Sequence, residues 1–112
     1  MEITFRSRRL QRLCADPKAA AREWGPVVAR KLAERLNLLL RADCLRTVQQ
    51  VPHARCHQLT GDRAGQFAIT VHGPMRIVFV VAQEPVPRLS DGGIDLAQVT
   101  AITVLEVVDY HG

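Results

Sequence analysis

The spacing of apolar residues changes once along this chain, after the stretch Thr47–Pro52, from a helical period to a period of two. That change restricts the fold to helices first and an antiparallel sheet afterwards, the α+β arrangement in which one layer packs on one face of the other. Ahead of it, Ser7–Cys14 puts Leu10, Leu13 and Cys14 on one helical face and Arg8, Arg9 and Arg12 on the other. Asp16-Pro17 restarts a helix, with Asp as cap and Pro at the first position, where an N–H is not needed. This segment runs to Trp24, and Gly25-Pro26 breaks it. In Pro26–Ala42 the apolar stripe Val28, Leu32, Leu36, Leu39 and Leu40 opposes Arg30, Lys31, Glu34 and Arg41. The expected helical layer is two packed N-terminal helices, the second long and amphipathic.

Behind the change the pattern is that of strands. Gln66–Val71 aligns Phe67, Ile69 and Val71 on one face, His72-Gly73-Pro74 turns the chain, and Met75–Val81 returns with Met75, Ile77, Phe79 and Val81 together. Shorter strands are expected at Glu2–Phe5 and Arg55–Leu59, with Thr60–Gly65 as a turn. Ala82–Gln98 is a long connection containing Pro and Gly, and loops of that length tend to be functional, mobile or family-specific insertions. The last strand starts at Ala101 and carries Asp109, Tyr110 and His111 at its end. By alternation Asp109 and His111 share a face, and Arg76 stands on the face opposite Ile77 and Phe79.

At 112 residues, with 47% hydrophobic and 23% charged residues, one folded domain over residues 1–112 is expected. No apolar stretch reaches the ~18 residues of a membrane span. Met1–Arg6 does not read as a secretory leader. Cys14, Cys44 and Cys56 are odd in number and widely spaced, as reduced cytoplasmic thiols would be. Together with His53 and His57 they match no standard zinc spacing, and neither a metal nor a cofactor is expected. Residues 1–41 hold ten of the fifteen Lys and Arg against four acids, whereas residues 76–112 hold two against five. A basic helical half suits a polyanion, an acidic protein partner, or simply a solvated face.

The open sheet face collects residues suited to RNA cleavage. An imidazole moves protons at neutral pH, and Arg76 and Arg63 can neutralise a phosphate and its transition-state charge. Attack of a 2′-hydroxyl on its own phosphodiester needs a base, an acid and a cation. Tyr110 can stack on a base or donate to a phosphate oxygen.

The segments His57-Gln-Leu-Thr-Gly-Asp-Arg-Ala-Gly-Gln66, Gly73-Pro-Met-Arg-Ile-Val-Phe79 and Glu106-Val-Val-Asp-Tyr-His111 resemble the HigB branch of the RelE/ParE toxin superfamily. Arg9-Leu-Gln-Arg-Leu-Cys14 and Gly92-Gly-Ile-Asp95 resemble the same branch, so the likeness covers nearly the whole chain. It implies two N-terminal helices on a small curved antiparallel sheet. It also implies a toxin that cuts mRNA in the ribosomal A site, and a helix-turn-helix antitoxin that neutralises it within a higher oligomer. Residue by residue, His57 and His111 resemble catalytic histidines that transfer protons. Asp109 and Tyr110 match an Asp-Tyr pair that orients the histidine and contacts RNA, and Arg76 matches an arginine on the scissile phosphate. Thr60 stands where many relatives have a lysine, so one phosphate-neutralising charge is absent and Arg63 is its candidate substitute. Met75 stands where an aromatic often precedes the arginine. Two other classes are compatible with these departures: a ParE-like protein that poisons DNA gyrase, and a catalytically weakened relative that only binds its antitoxin.

Overall fold

The computed structural model describes residues 1–109, so Tyr110 and His111 lie outside the described residues. Local chemistry sets the helix ends. The Ser7 hydroxyl accepts from the Leu10 N–H and starts α1 (Arg8–Ala15). The Asp16 carboxylate accepts from the Lys18 and Ala19 N–H groups and starts α2 (Pro17–Trp24). Gly25 sits at φ +89°, a conformation an L side chain rarely adopts, and separates α2 from α3 (Pro26–Arg41). A fourth helix, α4 (Leu45–Gln49), buries Leu45 and Val48.

The strands are β1 (Glu2–Phe5), β2 (His57–Gln58), β3 (Gln66–His72), β4 (Met75–Val81) and β5 (Ala101–Asp109), in the spatial order β1-β5-β4-β3-β2. The α+β class expected from the change of period holds. The sheet is mixed rather than wholly antiparallel, because β1 runs parallel to β5 while the other pairs are antiparallel. The helices between β1 and the rest of the sheet carry the chain back to the starting end, which is the connection a parallel pair requires. The helical layer has three successive helices plus α4 rather than two, since Asp16 and Gly25 each act as a break. The segment Arg55–Leu59 contributes only two strand residues. A 3₁₀ turn at Pro52–Ala54 and left-handed backbone at Arg55 (φ +49°) delay pairing until His57.

The main core lies between helices and sheet, with Leu32, Leu39, Leu45, Ile69, Ile77, Phe79, Ile102 and Val104 fully enclosed. The Phe67 and Phe79 rings stack at 5.7 Å. A second, smaller cluster of Leu59, Ala68 and Val78, flanked by Leu105 and Val108, lies on the other face. Of the expected apolar stripe on α3, Leu40 stays 60% exposed, at the mouth of a groove lined by Ile3, Phe5, Cys14 and Leu36. The 82–98 connection is irregular but tied at both ends. Gln83 accepts from the Thr100 N–H at 2.7 Å and donates to the Gln98 carbonyl at 3.0 Å. No helix of the described residues is long and apolar enough to cross a membrane.

Two register shifts interrupt the ladder, one between Thr70 and His72 on β3, the other between Val78 and Phe79 where β4 meets β5. At the first, the Thr70 carbonyl accepts from Nε of Arg35, a buried arginine on α3, at 2.8 Å. Replacing Arg35 with Met keeps the apolar stem but removes the donor. We expect this variant to lose about 1–3 kcal/mol, the cost of an orphaned acceptor. The loss is read as a lower urea midpoint at unchanged m-value.

Candidate functional site

Directly opposite residues of neighbouring strands project from the same face. His57 lies opposite Ala68, Ala68 opposite Val78, and Val78 opposite Glu106. One row across β2–β5 thus carries an imidazole at one end and a carboxylate at the other, about 14 Å apart across three inter-strand spacings. The adjacent row, nearer the β3–β4 turn, holds Thr70, Arg76 and Val108. Phe67, Ile69, Ile77 and Phe79 take the alternate positions in the main core, so both rows face away from the helices.

His57 is exposed on the edge strand, and its Nδ1 lies 2.9 Å from the Arg55 carbonyl oxygen. A carbonyl can only accept, so Nδ1 carries the proton and the neutral ring has its lone pair on Nε2. The left-handed backbone at Arg55 aims that carbonyl, a strained geometry of the kind that accumulates at functional positions.

Arg63 leaves a 3₁₀ turn, Gly61–Arg63, whose first cap is Thr60. Its guanidinium donates to Gln66 Oε1 at 3.0 Å and to the two Glu106 oxygens at 3.4 and 3.5 Å. Gln66 belongs to β3 and Glu106 to β5, so the group spans β4 on the open face, over the small apolar cluster. Arg76 behaves differently. Its Nη1 donates to the Gly73 carbonyl at 2.6 Å and to its own neighbour Met75 at 3.0 Å, folding the side chain over the β3–β4 turn.

The structure therefore brings His57, Arg63 and Arg76 to one face, with Thr60 exposed at its rim. Asp109 is not among them. It pairs with Met75, which packs against the main core, so it projects to the helical side of the sheet end. Tyr110 and His111 are outside the described residues. Two residues of this face, Glu106 and Gln66, carried no role in the sequence analysis. Glu106 stood within the terminal segment, but which partner it meets depends on strand register. The basic surplus of residues 1–41 belongs to the helical layer, across the sheet from this face, and part of it is paired, as in Arg9–Glu23 at 3.2 Å.

The cysteines divide into two kinds. Burial pushes the Cys14 and Cys56 thiols up to about 11. Cys44, hydrogen-bonded to the Thr47 hydroxyl at 3.6 Å, is lowered, chiefly by that side-chain bond. Among the described residues no group of three His, Cys, Asp or Glu side chains gathers closely enough to hold a metal ion.

No family model and no curated protein matches the sequence. Several solved structures share its fold. One is a YoeB/ParE toxin from Agrobacterium tumefaciens, with a TM-score of 0.54 and 11% identity, covering 99% of this chain and 100% of that one. Another is a YoeB-YefM complex from Staphylococcus aureus, with a TM-score of 0.56 and 14% identity, covering 100% and 98%. At these identities the likeness is one of fold.

The thiol chemistry gives a direct check on the geometry. At pH 8 one thiol per chain is expected to react rapidly with an aromatic disulfide reagent, and Cys44→Ser removes that phase. Cys14 and Cys56 react only on unfolding. A Cys44 rate that falls with pH later than a free thiol's (ordinarily near ~8.5) is the signature of its lowered pKa.

Proposed function

We propose that this chain is the toxin of a toxin–antitoxin pair, of the HigB branch, and that it cuts mRNA on the ribosome without a metal ion. The observation that carries the proposal is a single open face holding His57, with Nε2 as its lone-pair nitrogen, together with the guanidinium groups of Arg63 and Arg76.

In this reading a 2′-hydroxyl attacks the adjacent phosphorus while His57 Nε2 accepts its proton. The bond to the 5′-oxygen breaks, and that oxygen takes a proton from His111, leaving a 2′,3′-cyclic phosphate and a 5′-hydroxyl. Arg76 and Arg63 offset the charge that gathers on the phosphate oxygens. Tyr110 stacks on or hydrogen-bonds the RNA, and Asp109, at the end of β5 on the helical side, orients His111. Thr60 supplies a hydroxyl at the rim in place of a cation. The roles of His111, Tyr110 and Asp109 rest on the family resemblance of the terminal segment. The partner is a helix-turn-helix antitoxin, and the assembled pair is a higher oligomer. The ribosome orders the mRNA against the face.

Induction of the chain in bacteria is expected to stop growth and leave translated mRNA cut within codons, as mapped by primer extension. His57→Ala and His111→Ala each lower cutting by about 10²–10⁴ while keeping the fold. Arrest with intact mRNA and damaged DNA replaces this reading with gyrase poisoning. Normal growth with retained antitoxin binding replaces it with a weakened relative.

A further inference from the structure

Glu106 has no part in the reaction above, yet its position on the sheet is set by an irregularity rather than by alternation. Ile102 and Val104 are buried on the helical side, and strict alternation would send residue 106 into the same core. Instead Val78 pairs with Glu106 and the next residue, Phe79, with Val104, leaving Leu105 as an extra residue in β5. Val107 then resumes the buried positions. An unpartnered carboxylate inside the core would be costly, and the bulge delivers it to the open face instead.

There its two oxygens meet Nη1 and Nη2 of Arg63 at 3.4 and 3.5 Å, and Gln66 holds Nη1 from β3 at 3.0 Å. The pair is about two-thirds buried on both sides, with side-chain exposures of 30% and 32%. An arginine leaving a turn that begins with glycine would otherwise sample many rotamers in solvent, and ordering it later would oppose binding. We infer that Glu106 is a positioning residue. It lays the Arg63 guanidinium across the open face to meet an RNA phosphate, supplying there the cation that Thr60 does not. This rests on the RNA-cutting reading above.

The test is the affinity of the full chain for a short single-stranded RNA oligonucleotide, measured by fluorescence anisotropy across a salt series. Removing a negative charge beside RNA would by electrostatics alone tighten binding. Positioning predicts the reverse: Glu106→Gln, which keeps the shape, weakens binding about ten-fold, and Arg63→Ala weakens it by a similar factor. The double variant is no weaker than either single one, the salt slope of log Kd falls by about one in each, and Glu106→Asp recovers most of the affinity. Tighter binding by Glu106→Gln, or losses that add in the double variant, overturns the positioning role and leaves the nuclease reading standing. A parent chain that binds no RNA overturns the placement of Arg63 against an RNA phosphate, whereas the nuclease reading, in which the ribosome orders the mRNA, is overturned only by the cutting assay.

Discussion

The helical layer seals one face of β3, β4 and β5, and the chemistry of the other face follows from that seal. Phe67, Ile69, Val71, Ile77 and Phe79 are buried against α3 and its neighbours. Each large apolar side chain taken from water contributes about 1.5–3 kcal/mol, so together they hold the register firmly. A slip of one residue would turn all of them outward at once. Whatever stands at the alternate positions is thereby committed to the open side. In this chain that set includes His57, Arg76 and Glu106, with a small apolar floor between them.

The two arginines of that face are held in different ways, and the difference matters for phosphate chemistry. Arg76 is a strand residue whose guanidinium folds back onto the carbonyls of the β3–β4 turn, so its charge is fixed at the end of the sheet. Arg63 comes from outside the sheet and is drawn in by Glu106 and Gln66 from two different strands. Ion pairs about one-third exposed, as this one is, are worth about 0–1 kcal/mol, so the pair adds little to stability. Its consequence is geometric, since it fixes where a charge sits. Among the described residues, the hydrogen bond that orients His57 comes from the backbone, through the carbonyl of the left-handed Arg55.

Much of this architecture was legible because the signals are local. Ser7, Asp16, Pro17, Gly25 and Pro26 act on the turn of helix beside them, and the helices begin and end where those residues stand. The hairpin from Gln66 to Val81 declares itself by alternation across a Gly-Pro turn. Other features had no such marker. α4 depends on two residues, Leu45 and Val48, finding the core beneath them. The parallel pairing of β1 with β5 joins residues nearly a hundred positions apart. Leu40 follows the helical stripe, but no element of the described residues covers it.

The site divides along the same line. The residue types and their order, with His57, Arg63, Arg76 and the terminal Asp109-Tyr110-His111, are properties of the sequence and carry the family resemblance by themselves. Which of them share a face is not. One extra residue at Leu105 reverses the parity of everything after it, turning Glu106 out to Arg63 and Asp109 to the side of Met75. A bulge is decided between strands, by the competition of a buried ladder with a carboxylate that cannot be buried alone. No periodicity within one strand contains that information.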